Sequence, residues 1–259
     1  MDHFVAQRQR LRSLFGVFFA PEVTGALLPL ARPALRLGVG GDATVHLGGD
    51  PLLPPGEPWP TWQDRPLDFL ASFDFGELAE VLAVPGLPQE GRAAFYYAAS
   101  APRPWGDDAA QRDGWRLFTG DLVATEAQGQ TFPQLSLGVA PFLSLPAPQE
   151  PAVHQLDERY SGVRQVYEQL HAAWLQHVWP DDAPVHQLGG WPALVQTPLD
   201  QGDLSSMIPK QAAADQERSL LLQLDSDPRL GWDWGAPGRI YFSACTNEPL
   251  ENAWLTLQA

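Results

Sequence analysis

Phe4, Val5, Leu11, Leu14, Phe15 and Phe18 recur at helical spacing with Gln and Arg between them, which predicts an N-terminal helix over 2–19. Pro21 follows, and a second short helix over 22–30 completes a helical region at 2–31. Tyr160, Val163, Val166, Tyr167, Leu170, Trp174 and Val178 keep three-and-four spacing more regularly than any other stretch and predict a long connecting helix over 157–179, stopped by Pro180. Shorter apolar runs predict strands at 33–37, 67–73, 93–98, 220–224 and 238–243, with a short helix at 76–83. Between 101 and 150 the pattern weakens. Short strands are expected near 115–118 and 122–124, an edge strand over 135–145 because Pro141 interrupts it, and a linker at Pro146, Pro148 and Pro151.

Three stretches recur in the same order. Leu47-Gly48-Gly49 is answered by Leu188-Gly189-Gly190, the strand ending at Asp74 by the one ending at Asp225, and Gly91-Arg92 by Gly238-Arg239, at offsets of 141, 151 and 147 residues. Loop insertions absorb such differences. The expected fold is therefore α+β: a single compact domain over 1–259 whose two sequence-related, β-rich halves, about 33–150 and 183–259, share a mainly antiparallel sheet. Flanking helices and the helix at 157–179 between the halves complete it. Pro51, Pro54, Pro55, Pro58, Pro60 and Pro66 exclude helix or central strand from most of 50–66, leaving an ordered loop pinned by Trp59 and Trp62. A polar insertion with a helix near its end is expected at 200–218.

At 259 residues and 44% hydrophobic composition the chain is long enough to bury a sizeable core. Its net charge of -15 argues against nucleic acid and against anionic membrane surfaces, which are bound by neutralising phosphates with Lys and Arg. Such a field steers basic partners inward, a basic toxin among them, although acidity also serves solubility alone. One cysteine, Cys245, closes no intramolecular disulfide. Arg8, Arg10 and Arg12 precede the apolar run 14–20, yet that run is short for an export signal and lacks a small-x-small cleavage pattern, so a cytoplasmic location is expected.

Strand alternation places Gln223, Asp225 and Asp227 together on one face, with Leu220, Leu222 and Leu224 facing the core. Leu70, Ser72 and Asp74 form the corresponding set. Asp225-Ser226-Asp227 resembles the carboxylate pair that holds a hard divalent cation, and the competing reading has Asp74 and Asp225 accepting backbone hydrogen bonds in the following turns. Other motifs fall away. The Gly38–Gly41 cluster lacks the Gly-Lys-Ser/Thr ending of a phosphate loop, no Gly-x-Ser-x-Gly elbow occurs, and the acidic ligand closing a calcium loop is missing. His46 and His186 differ by one position relative to their Leu-Gly-Gly heads, which sends them to opposite strand faces, and His171 and His177 are not spaced i, i+4. Trp59, Trp191 and Trp234 lie in or beside the motif loops, where an indole packs the loop or offers a flat surface to a ligand.

With Leu47-Gly48-Gly49-x-Pro51-x-Leu53-Pro54, Trp59-Pro60, Leu188-Gly189-Gly190-x-Pro192, and Leu221-Leu222-Gln223-Leu224-Asp225-Ser226-Asp227 followed by Trp234-Gly235, the chain resembles the YwqG-like family of bacterial proteins, a domain of unknown function. The resemblance runs from about Arg32 to the C-terminus and is weakest over 101–150. It implies a compact α+β domain with two related halves and transfers no catalytic residue.

The expected function is a binding or interaction module that takes a protein, peptide or small polar ligand between its halves and needs no cofactor. Its candidate ligand residues are Trp59, Asp74, Trp191, Gln223, Asp225, Asp227 and Trp234, and no resident metal site is assigned. The competing expectation is an enzyme acting on a small polar substrate, with Asp225 and Asp227 as metal ligands or acid/base groups.

Overall fold

In the computed structural model, residues 3–38, 40–41, 43–179, 183–199, 218–245 and 248–259 are described. The expected insertion at 200–218, Arg218 apart, and the helix stop at Pro180 lie outside them. Among the described residues five α-helices are formed: α1 (Val5–Phe18), α2 (Pro21–Leu27), α3 (Phe75–Val81), α4 (Pro151–Arg159) and α5 (Val163–Val178). The strands of the first part are β1 (Arg32–Gly38), β2 (Ala43–Leu47), β3 (Leu52–Leu53), β4 (Thr61–Trp62), β5 (Arg65–Pro66), β6 (Asp68–Asp74), β7 (Arg92–Tyr97), β8 (Trp115–Thr119), β9 (Val123–Ala124) and β10 (Leu135–Ser144). Those of the second are β11 (His186–Leu188), β12 (Arg218–Asp225), β13 (Arg239–Cys245) and β14 (Trp254–Gln258). The fold is α+β, as expected.

Ten strands make one antiparallel sheet in the order β14-β13-β12-β11-β1-β10-β2-β6-β7-β8, while β3 pairs with β9 and β4 with β5. The central pair β1–β10 thus has four strands on either side, and these two wings turn their inner faces toward each other. Phe95 of β7 meets Phe242 of β13 edge-on at 5.1 Å, and Trp115 of β8 meets Trp254 of β14 at 4.9 Å. Their indole N–H groups are satisfied within the contact: Trp115 donates to the Ala253 carbonyl at 3.0 Å and Trp254 to that of Gly106 at 2.8 Å. Each fully buried large apolar side chain is worth about 1.5–3 kcal/mol. The closure of the wings therefore contributes several kcal/mol to the stability of the sheet.

The two wings share several local features. Each glycine of the pairs Gly48-Gly49 and Gly189-Gly190 has positive φ, a conformation that side chains resist. The first glycine of each pair then donates its N–H across to the next strand, Gly48 to Leu70 and Gly189 to Leu221. Register shifts fall at corresponding places, between Phe69 and Ala71 in β6 and between Leu220 and Leu222 in β12. These bulges correct the simple alternation expected for both strands. Leu70 joins Ala71 and Phe73 in the inner core, and Leu221 joins Leu222 and Leu224.

A second core lies where α1, α2, α4 and α5 meet the central strands, around Phe15, Phe142, Tyr167 and Trp174. Gln7 of α1 acts there as a short surrogate strand: its side-chain NH2 donates to the Pro141 carbonyl at 3.3 Å and its side-chain oxygen accepts from Leu143 N–H at 2.8 Å. The expectation of an edge strand at 135–145 is corrected, because β10 is central. Proline is tolerated there because β2 pairing ends at Val139, so the missing N–H of Pro141 faces no strand. The single helix expected over 157–179 is also corrected. The chain forms α4 and α5, separated at Gly162 with φ 87°, and Pro151, expected in a linker, starts α4 at a position where its missing N–H costs nothing.

Candidate functional site

A dense buried polar cluster gathers where β12 runs into the Asp227–Trp232 turn. Asp227 N–H donates to the Trp232 carbonyl at 2.9 Å and Trp232 N–H donates back at 3.0 Å, closing the turn on itself. That closure folds Arg229 over the Asp227 carboxylate. Oδ1 accepts from the Arg229 main-chain N–H at 2.9 Å and from Nε at 3.0 Å, and Oδ2 accepts from Nη2 at 2.7 Å. His186 of β11 lies on the other side, its Nε2 3.1 Å from Oδ2. Because His186 Nδ1 accepts the Asp225 N–H at 3.2 Å, the ring proton sits on Nε2 and is donated to Asp227. Burial would raise the Asp227 carboxyl, but the His186 and Arg229 hydrogen bonds outweigh it and hold the group well below the usual carboxylate range. Trp232 packs edge-on against the His186 ring.

Asp225 is engaged separately. Its Oδ2 accepts the Val185 N–H at 2.9 Å and lies 3.2 Å from Arg239 Nε, while its carbonyl accepts the Trp234 indole N–H at 3.1 Å. Gln223 is wholly buried: Oε1 accepts the Ala193 N–H at 2.8 Å and Nε2 donates to the Val185 carbonyl at 2.7 Å. Ala193 is further held through its carbonyl by Arg239 Nη1 at 2.7 Å and the Tyr241 hydroxyl at 3.0 Å. Gln258 then accepts from Val195 and Gln196 N–H and donates to the Thr197 carbonyl. Trp191 begins this segment, with its indole N–H on the Leu30 carbonyl and the Arg32 guanidinium 3.8 Å above its ring. The outer face of β11–β14, where alternation predicts a polar surface, is thus covered by residues 191–197 of the chain itself.

Trp59 and Asp74 belong to the other wing. Trp59 is buried, donates to the Leu67 carbonyl at 2.9 Å and stands edge-on to Tyr96, in an aromatic seam that fixes the proline-rich loop over β6 and β7. Asp74 caps α3, its Oδ1 accepting from Gly76 and Glu77 N–H at 2.9 and 3.2 Å. The structure therefore brings Trp191, Gln223, Asp225, Asp227 and Trp234 together in one wing and leaves Trp59 and Asp74 apart in the other. His186, Arg229 and Arg239 complete the cluster and are absent from the sequence-derived set. Two signals bear on them: the Asp227-Pro228-Arg229 order, which suits an Asx turn, and the Gln187 to Gln223 pairing, visible only once strand register is known.

An open groove of about 280 Å3 lies between the wings. Phe75, Glu90, Gly91 and Arg92 of the first wing face Leu250 and Glu251 across it, with Thr119 and Gly120 alongside. The Thr119 hydroxyl donates to the Glu251 carboxylate at one side. Among the described residues no group of three or more His, Cys, Asp or Glu is placed to hold a metal ion, and no helix is long and apolar enough to cross a membrane. Cys245 is buried, and burial pushes its thiol up rather than toward the thiolate.

A search of curated proteins finds no match to the chain. A family model described as Domain of unknown function (DUF1963) matches residues 45–254, most of the chain, and the protein belongs to that family.

Proposed function

We propose that the chain is one domain made of two related copies of a β-rich unit, of the YwqG-like kind, and that it works as a binding or interaction module. The groove between the wings is the site for a protein, peptide or small polar ligand. The observation that carries this reading is the groove itself. There, charged residues from both wings, Glu90 and Arg92 on one side and Glu251 on the other, line the same open space. Its volume is near the lower end for small-ligand sites, which run from about 300 Å3 upward. Matching glycine pairs, bulges and Asp–Arg pairs support the relation between the copies. Binding is favoured over catalysis because Asp225 and Asp227 have their carboxylate oxygens committed to Val185, His186, Arg229 and Arg239. A cation at this pair would have to displace two arginines.

Saturation-transfer NMR with a panel of free amino acids, dipeptides and monosaccharides tests the reading. We expect transfer to at least one member of the panel and its loss in Glu90→Arg/Glu251→Arg. Absence of transfer to every member, or transfer unchanged in that variant, would overturn the groove as the site.

A further inference from the structure

The charged residues that line the groove between the wings do not balance. Arg92 has a counter-charge of its own, because its Nε lies 3.8 Å from Asp74 Oδ2. Glu90 is exposed and makes no hydrogen bond or ion pair among the described residues. Glu251 accepts the Thr119 hydroxyl through Oε1, whereas Arg112 donates at 2.6 Å to its main-chain carbonyl and not to its carboxylate. Two carboxylates from opposite sides of the groove are thus left without a cationic partner among the described residues. The buried Phe75 and the half-buried Leu250 give the same lining its apolar part.

We propose that the groove takes an alkylammonium group, a protonated primary amine on a short apolar stem, either free or at the end of a lysine side chain. The other ligand chemistries leave the lining carboxylates worse off. An anion meets two like charges on a chain whose net charge is already -15. A neutral ligand removes water from Glu90 and Glu251 and returns no opposite charge, and a carboxylate that loses water without a partner is destabilised. An ammonium compensates them, and its three N–H donors can be divided between the two sides. Its stem then lies against Phe75 and Leu250, as the stem of a lysine lies along apolar surface while the charge stays in a polar setting. The acidic field of the whole chain draws the same ligand inward. The proposal rests on the reading of the groove as the ligand site and names the chemistry of that ligand.

NMR titration of the full chain at low salt compares n-butylamine, cadaverine and Nα-acetyl-lysine methylamide with n-butanol, Nα-acetyl-norleucine methylamide and butyrate. The amines should bind, and the neutral and anionic probes should not. Binding of the free amines alone identifies a small-molecule ligand, and binding of the lysine derivative alone identifies a side chain of a peptide or protein; either supports the proposal. Glu90→Gln and Glu251→Gln should each weaken amine binding about threefold or more, the scale of an ion pair open to solvent, and the double variant should remove it. Glu168→Gln, an exposed change on α5 away from the groove, should leave it unchanged. Melting temperatures show whether the variants are folded; should Glu251→Gln not be, Glu90→Gln decides alone. No binding of any amine, equal binding of n-butanol or butyrate, or the same weakening in Glu168→Gln overturns the proposal. If the panel of amino acids, dipeptides and monosaccharides still reports the groove in that case, the groove survives as the site and the cationic ligand alone is lost.

Discussion

The outer faces of the two wings are covered by different physics. Over β6 and β7 the cover is apolar: Trp59, Trp62, Phe69 and Tyr96 interlock beneath a proline-rich loop, and the hydrogen bonds from Trp59 and Tyr96 finish a contact already made by area. Over β11–β14 the cover is polar. Gln187, Gln223, Gln258, Arg239 and Tyr241 hold the 189–197 segment almost wholly by side-chain to main-chain hydrogen bonds. An aromatic seam tolerates shifts in position because dispersion and area are not directional. A hydrogen-bonded seam specifies one path for the segment, since any slip leaves buried donors unpaired.

The largest expected effects set the first cover against the buried cluster around Asp227. Trp59→Ala should cost about 3–5 kcal/mol by removing the ring around which the first seam is packed. Asp227→Ala should cost a similar amount, about 3–5 kcal/mol, because it leaves two donors, the buried His186 Nε2–H and the Arg229 main-chain N–H, without their charged acceptor, each such bond being worth about 1.5–3 kcal/mol. Chemical denaturation measures both. A loss below about 1 kcal/mol for either would remove that residue from the account.

Acid should separate the wings by sign. Asp227 is depressed in the folded chain, so its contribution is full above the unfolded carboxyl value of about 3.9 and fades as pH falls below it. Asp68, which receives Ala99 and Gln130 N–H groups beneath the first wing, is raised by burial, its hydrogen bonds offsetting only part of that cost. Its charged form therefore opposes folding above the raised value, and acid relieves that cost. Denaturation midpoints measured across pH 2.5–6 should show a smaller acid loss in Asp227→Asn than in wild type. Equal acid losses would contradict the assignment.

Smaller effects sharpen the contrast between matching residues. Gln223→Ala should cost about 1–3 kcal/mol, since it strands the Ala193 N–H and Val185 carbonyl. Asp225→Ala should cost about 1.5–3 kcal/mol through its charged hydrogen bonds, against about 1 kcal/mol for Asp74→Ala, which loses a helix cap. Thermal or urea unfolding of the pair gives the order. An Asp74 effect exceeding that of Asp225 would mean the matching positions do not carry the roles described.

What was legible in the sequence follows from how local each signal is. Leu47-Gly48-Gly49 and Leu188-Gly189-Gly190 could be matched because tight positive-φ turns select glycine within three residues. Most strands and α1 could be placed from periodicity, and Trp59 could be tied to an ordered loop by the prolines around it. The central place of β10 was hidden because Pro141 excludes a central strand unless something else meets that edge. Here Gln7, 134 residues away, does so. Gly162, which separates α4 from α5, sits in an apolar pattern that helical spacing alone carries straight through. The site was legible in part. Gln223 and Asp225 do share a face, but the closed turn that starts at Asp227 sends that residue inward, and its partner His186 is 41 residues distant. No local pattern records that a strand's polar face is filled by the chain's own loop.

The claim that the second wing is sealed by its own segment is tested most directly by amide hydrogen exchange at Ala193, Val195 and Gln196. The account predicts that all three are protected in the native protein. Gln223→Ala should release Ala193 alone, and Gln258→Ala should release Val195 and Gln196. Rapid exchange of all three in the unaltered protein would contradict it.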